Sequence, residues 1–260
     1  MSAAFDVAAL ARLFAEARGH RAKLDDLPET ARPASADDAY ATQEATLRAL
    51  GADSSDSRAI GGWKVGSKSA DGPIQGALLP ASGMHESGVH LSMQAFGKAG
   101  LELEVAFTFK RSFDANSGPY SDDDILNAID SVHAAIEVVA SRFAAWPDID
   151  KIWQLADLQN HGALVVGEGV PYDDAFPFVS PAMTFDYDGA SLFDATPANP
   201  AGDPRRLLAW TINHAVSRGL IVEKGTVITA GSYTGIAFPD KPGVATGKIE
   251  GLPPVRLHFE

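Results

Sequence analysis

A chain of 260 residues, 45% hydrophobic and 21% charged, is long enough to bury a core without disulfides or a metal, and its composition excludes collagen, coiled coil and wholesale disorder. With 21 Lys+Arg against 34 Asp+Glu, the formal charge of −13 repels phosphate backbones, so neither nucleic acid nor a basic membrane-surface role is expected. No Cys is present, which removes thiol nucleophiles, thiolate-ligated metals and redox disulfides, and makes a cytoplasmic setting the expectation.

Ala4, Val7, Leu10, Ala11, Leu13 and Phe14 recur at helical spacing and predict an amphipathic helix over 3–19, stopping near Gly19. Arg12 and Glu16 interrupt its apolar run and no cleavage-like tail follows, so a signal peptide is not expected; nor is a membrane span, for want of 18 consecutive apolar residues. A Pro-punctuated connector (27–35) leads to Ser35, which caps a second predicted helix, Ala36 to Leu50. Gly61 to Gly66 reads as a short strand and 71–90 as loop-rich. Leu101, Leu103, Val105, Phe107 and Phe109 alternate with Glu102, Glu104, Ala106 and Thr108, the clearest strand of the chain.

After a polar turn (112–124), Ile125, Ile129, Val132 and Ile136 predict a helix face, and Ile136 to Ala140 switches to strand chemistry. Leu164–Val166 and Met183–Tyr187 predict further strands. A Gly/Pro/Asp-rich loop (186–204) ends at Asp203-Pro204, an N-cap and first-turn pair for a helix running to Gly219. Val227–Thr229 and Val255–Phe259 close the chain as strands. No repeat is evident. The sum is α+β: a helical N-terminal segment (1–55) packed on a β-rich body (56–260) with flanking helices, forming one structural unit.

Several familiar motifs fail. The segment GWKVGSKS lacks the Gly-Lys-Ser/Thr order of a phosphate loop. Val89 stands where a zinc helix begun by His85-Glu86 needs its second His, and Ala230 stands where a nucleophile elbow needs Gly. Glu102 and Glu104 are different in kind. Two apart on a strand, they share one face and repel, so water, cations or a metal must offset them. Oxygen-only ligation suits a hard divalent ion; a solvated outer face is the competing reading. Glu137 within AAIEVVAS and Lys64 within GGWKVG are lone charges in apolar or glycine surroundings. Each needs a partner if buried, and each is ordinary if exposed.

Together these pieces resemble the fumarylacetoacetate hydrolase superfamily, and within it the 2-keto-4-pentenoate hydratase / 4-oxalocrotonate decarboxylase branch. The matching segments are Gly62-Trp63-Lys64-Val65-Gly66, Glu102-Leu103-Glu104, and Ile136-Glu137-Val138-Val139 with Ser141, Arg142 and Trp146. Ala156-Asp157-Leu158 and the late loop from Thr229 to Gly235 complete them, in order along nearly the whole chain. The resemblance implies a β-rich mixed roll, in a homo-oligomer. It implies Mg²⁺ or Mn²⁺ held by Glu102, Glu104 and Glu137, and a small 2-oxo or 2-hydroxydienoate substrate of aromatic meta-cleavage catabolism. Lys64 and Asp157 would be catalytic; Gly231, Ser232, Thr234 and Arg142 would contact substrate. Hydration to a 4-hydroxy-2-oxo acid is the reaction it favours. A 4-oxalocrotonate-type decarboxylase is the alternative, followed by an acylpyruvate C–C hydrolase and a non-catalytic oxo-acid binder. Three departures bear on the reaction. Pro73-Ile74-Gln75-Gly76 carries no loop carboxylate, Asp71 being the nearest; Leu158 replaces an amide; and the loop after GWKVG is short.

Overall fold

The computed structural model describes residues 5–20, 22–51 and 60–260. It opens with helices α1 (Val7–His20) and α2 (Ala36–Ala49). Ala4, at the predicted start of α1, lies outside the described residues, as does the 55/56 boundary expected after the second helix. Ser35 caps α2 as expected: its hydroxyl accepts the Asp38 N–H, and Asp38 accepts the Ser35 N–H in return. Leu10 and Phe14 of α1 pack in one apolar cluster with Ala39, Phe143 and Leu155. The last of these lies on α4 (Lys151–Ala156). No described helix is long and apolar enough to cross a membrane.

Among the described residues the strands form two mixed sheets. The larger runs β2 (Ile74–Pro80), β1 (Ile60–Ser67), β10 (Val227–Ser232), β5 (Gly100–Phe109), β6 (Ile129–Val139), β7 (His161–Pro171), β3 (Met84–Glu86). The smaller runs β4 (Val89–Leu91), β12 (Val255–Phe259), β11 (Gly243–Ile249), β8 (Met183–Tyr187), β9 (Ala190–Ser191). The pairs β1–β10, β3–β7 and β4–β12 are parallel and the other pairs antiparallel. The core lies between the sheets. Leu101, Leu103, Val105, Phe107 and Phe109 on one face of β5 share a cluster with Phe185, Ala245, Val255 and Leu257 of the smaller sheet. A Cβ on Gly247 would stand 2.4 Å from Leu103 Cδ1, so this glycine of β11 makes room for Leu103. Helix α5 (Arg205–Ser217) adds Leu207, Leu208 and Ile212 to the same core. Leu103, with no exposed area, is the natural probe of this layer. Leu103→Ala is expected to destabilise the protein by about 2–5 kcal/mol in urea unfolding, through lost burial and the cavity left behind. A loss below about 1 kcal/mol would mean that the two sheets do not pack through it.

Two expectations are corrected. Ile125 to Ile136 is not one helix: α3 spans only Asp122–Leu126, and β6 begins at Ile129. A bulge opposite Thr108 and Phe109 puts an extra residue into β6, so Ile129 and Val132 both reach the core three residues apart. That spacing imitates a helix. Residues 71–90 are not loop-rich either, since they hold β2, β3 and β4. The inner residues of β2 are buried on both faces and therefore do not alternate, and β3 and β4 have three residues each, too few to show a period. The N-cap of α5 is Pro204 rather than Asp203, although Asp203 Oδ1 still accepts the Arg205 N–H at 3.0 Å.

Candidate active site

The second face of β5 carries Glu102, Glu104 and Ala106, and it too is covered. Ala106 packs with Ala135, Leu79 and Leu164. Glu104 is 2% exposed, so the reading of a solvated outer face fails. Strand register assembles the charged groups. Glu102 is directly opposite Glu137 on β6, Glu104 is opposite Ser232 on β10, and Lys64 of β1 is opposite Thr229 on the other edge of β10. One carboxylate oxygen from each of Glu102, Glu104 and Glu137 falls within 4.8 Å of the others.

Each group is held. Glu104 Oε2 accepts from the Thr229 hydroxyl and from the Gly231 N–H at 3.1 Å, where Gly231 has φ +88°. Glu137 Oε1 lies 2.5 Å from Lys64 Nζ, which also donates to the Gln159 carbonyl at 3.3 Å. His161 Nδ1 stands 3.5 Å from the same Glu137 oxygen. Glu137 Oε2 is buried without a partner among the described residues. Burial, with the neighbouring Glu137 charge, pushes Glu102 up to about 7 and Glu104 up to about 8. Burial acts the same way on Glu137, but Lys64 and His161 outweigh it and hold that carboxyl low. Lys64 moves oppositely: burial lowers it, yet the three carboxylates leave it raised and protonated. Burial pushes His161 down to about 4, so its ring is neutral.

These groups line a cavity of about 740 Å³. Among the described residues its only carboxylates are the three glutamates; Asp71 does not line it, so no loop acid replaces the absent one. Gly231 and Ser232 line it. Thr234 does not: its hydroxyl accepts the Leu103 N–H at 3.4 Å and donates to the Gly235 carbonyl at 3.2 Å, bracing the late loop instead. Arg142 and Asp157 do not line this cavity either. Asp157 has no exposed side-chain area. It accepts from Arg142 Nε and the Arg142 N–H, each at 2.8 Å, and from Ser141 Oγ at 3.2 Å, while Arg18 Nη2 lies 3.4 Å away.

This cluster underlies an unusual turn. Leu158, Gln159 and Asn160 all have positive φ, at 50°, 49° and 59°. Three successive non-glycine residues there cost of order 1 kcal/mol each and persist only when their surroundings dictate them. The turn presents the Gln159 carbonyl to Lys64, so Asp157 acts on the cavity by holding its wall. Asp157→Asn is expected to cost about 3–5 kcal/mol in urea unfolding, since it leaves Arg18 and Arg142 short of a buried counter-charge. A change below about 1 kcal/mol would deny that support.

Sequence reasoning missed Gln159, Asn199, Lys68 and Lys151 as cavity residues. Asn199 sits in the Gly/Pro-rich loop and ties it to β10 by donating to the Ala230 carbonyl at 2.8 Å. No periodicity or spacing singles it out. Gln159 follows the A-D-L segment, but it acts through its backbone, which no side-chain pattern reveals.

No protein-family model matches the chain. A 2-keto-4-pentenoate hydratase of Paraburkholderia phymatum is 27% identical over 258 residues, 97% of each chain. Among solved structures, 4-oxalocrotonate decarboxylase from Pseudomonas putida G7, complexed with magnesium and adipate, superposes with a TM-score of 0.82 at 20% identity over 98% of this chain and 97% of its own. A putative fumarylacetoacetate hydrolase family protein from Yersinia pestis matches more distantly, with a TM-score of 0.58 at 13% identity over 76% of this chain and 91% of that one. The chain thus has the fumarylacetoacetate hydrolase-like fold that its motifs resemble, and it is a homologue, over nearly its whole length, of proteins named 2-keto-4-pentenoate hydratase.

Proposed function

We propose that this protein is a divalent-metal-dependent hydro-lyase that hydrates a 2-hydroxy-2,4-dienoate to a 4-hydroxy-2-oxo acid, with Glu102, Glu104 and Glu137 as metal ligands. One observation carries the reading. Three carboxylates meet within 4.8 Å, one with a buried oxygen left unpartnered among the described residues, beside the protonated amine of Lys64 in a cavity. Such a donor set, all oxygen and formally triply negative, fits a hard divalent cation and fits little else. Mg²⁺ or Mn²⁺ is the proposed ion, and the magnesium in the structurally similar decarboxylase supports it. When bound, the ion supplies a Lewis acid for the negative charge that grows on the substrate's C2 oxygen.

The remaining roles fall to the chain. Thr229 and the Gly231 N–H orient Glu104, and His161 stays neutral against Glu137. Lys64, fixed between Glu137 and the Gln159 carbonyl, holds a proton at Nζ. It can donate this proton to the dienol carbon skeleton during ketonisation, or bind the C1 carboxylate. A general-base role does not suit an amine raised by three carboxylates. Ser232 and the Gly231 backbone line the cavity where substrate oxygens would lie. The homologue's name and the cavity support a small-molecule substrate; we also propose a homo-oligomer, which sedimentation would check.

The test is an ultraviolet assay with 2-hydroxypenta-2,4-dienoate, with and without Mg²⁺ or Mn²⁺, and the product identified by mass. Metal-dependent loss of the dienol absorbance with a gain of one water is expected. No turnover at saturating metal would overturn the hydratase reading. A second reading, decarboxylation of a vinylogous 2-oxo diacid, is favoured by Lys68 and Lys151 in the cavity wall, two cations beyond what one carboxylate needs. CO₂ release from 2-oxohex-3-enedioate would select it.

A further inference from the structure

A second cavity, of about 300 Å³, lies against α1, the turn at 94–97 and the segment 140–142 that follows β6. It shares no lining residue with the active-site cavity. Among its described lining residues the only charged ones are Arg18, Lys23 and Arg142, all cations. The carboxylate that faces them is Asp157, which lines neither cavity and is already saturated by Arg142 and Ser141. Three cations against one carboxylate is a local excess of positive charge in a chain of net charge −13.

The guanidinium of Arg18 is incompletely used. Nη1 donates to the His161 carbonyl at 3.0 Å and Nη2 reaches Asp157, while Nε is buried and finds no partner among the described residues. A buried donor left unpaired costs about 1–3 kcal/mol, and more when it belongs to a charged group. Lys23 is exposed at the rim, its amine on the carbonyls of Ser141 and Phe96. Burial and the Arg142 charge push both Arg18 and Lys23 down from their ordinary values, and the single carboxylate of Asp157 does not offset this.

We propose that this cavity binds a small oxyanion, a phosphate or a short carboxylate, between Arg18, Lys23 and Arg142. An oxyanion offers several acceptor oxygens to the Arg18 Nε–H, to the guanidinium of Arg142, whose Nε and Nη2 already donate to Asp157 and the Ala140 carbonyl, and to the exposed amine of Lys23, and it neutralises the excess charge. The volume suits a phosphate or a few-carbon acid. Arg18 connects the site to the active cavity, because its other contacts are Asp157 and the His161 carbonyl, the two ends of the turn that presents Gln159 to Lys64.

Calorimetric titration of the metal-loaded protein at low ionic strength, once with inorganic phosphate and once with acetate, tests the site. Saturable binding of at least one anion is expected, weakened about tenfold in Lys23→Gln by loss of one charge-assisted contact. Binding should be unchanged in Lys151→Gln, which alters only the wall of the active cavity. Lys23 is exposed, so its variant removes charge without emptying the core. Equal affinity for both anions in Lys23→Gln and the parent, or no saturable binding, would overturn the proposal. So would weakening by Lys151→Gln alone, which places the anion in the active cavity.

Discussion

Glu104→Gln is expected to weaken divalent-ion binding by at least about 100-fold, or roughly 2.8 kcal/mol, while leaving the metal-free protein as stable as the parent or more so. The side chain keeps its shape, and an amide oxygen can still accept from Thr229 and the Gly231 N–H. What disappears is one of three anionic ligands. In the metal-free protein, burial and the charges of Glu137 and Glu102 already hold Glu104 at about 8, so it is neutral there and the amide imitates it. Glu102, raised by burial and Glu137 to about 7, behaves alike. The folded metal-free state thus keeps protons that the unfolded chain releases near 4.5. The stability these protons contribute is full below 4.5 and lost as pH rises through 7 and 8.

The metal-free protein should therefore lose on the order of 2 kcal/mol between pH 6.5 and 8.5. This window lies above the range where His161, pushed to about 4, or the depressed Glu137 would contribute a pH dependence. Glu104→Gln should flatten most of that slope. Metal affinity should run the other way, rising with pH as the ligands deprotonate. Thermal melts in chelator and metal titrations at both pH values check both signs. A metal-free Glu104→Gln protein that unfolds where the parent does not would make the carboxylates structural instead.

Lys64→Met is expected to lower kcat by about 10²–10⁴-fold, the usual contribution of a positioned proton donor, with metal affinity retained. Methionine fills the space of the lysine stem but carries no proton. The loss of Lys64 leaves Glu137 without its cation at 2.5 Å, so metal-free Lys64→Met should be less stable than the parent and should recover when metal is added. Substrate binding weakens as well if the amine also holds the C1 carboxylate, and KM against kcat separates the two roles. A variant within about threefold of the parent kcat would make Lys64 a bystander.

The glutamate trio was legible as a set only through the family resemblance: a Glu-x-Glu step on an alternating strand puts two carboxylates on one face, and a lone Glu in an apolar run needs a partner if buried, but neither pattern decides whether its face is solvated. The β5 and α2 boundaries were legible from local signals, through strict alternation and the Ser35 cap. Thr234, Arg142 and Asp157 lie off the cavity lining, a point sequence could not give, because proximity in sequence to a motif says nothing about which way a side chain turns. All three support the wall of the cavity rather than face it.

The amino-acid order alone determined the helical N-terminal part, the β-rich body, the acidic character and the placement of Glu102 and Glu104 on one strand face. These follow from periodicity and side-chain chemistry, which act over a few residues; that Glu137 and Lys64 join the pair was implied by the family resemblance alone. Tertiary structure alone decided that Glu104 is buried and Glu102 half-buried, and that Lys64 is protonated by the carboxylates around it. It also decided that Asp157 braces a left-handed turn and that three cations share a second cavity. Those properties depend on dielectric, on strand register between segments distant in sequence, and on which donors are left over once every other bond is made. None of these is carried by a single stretch of chain.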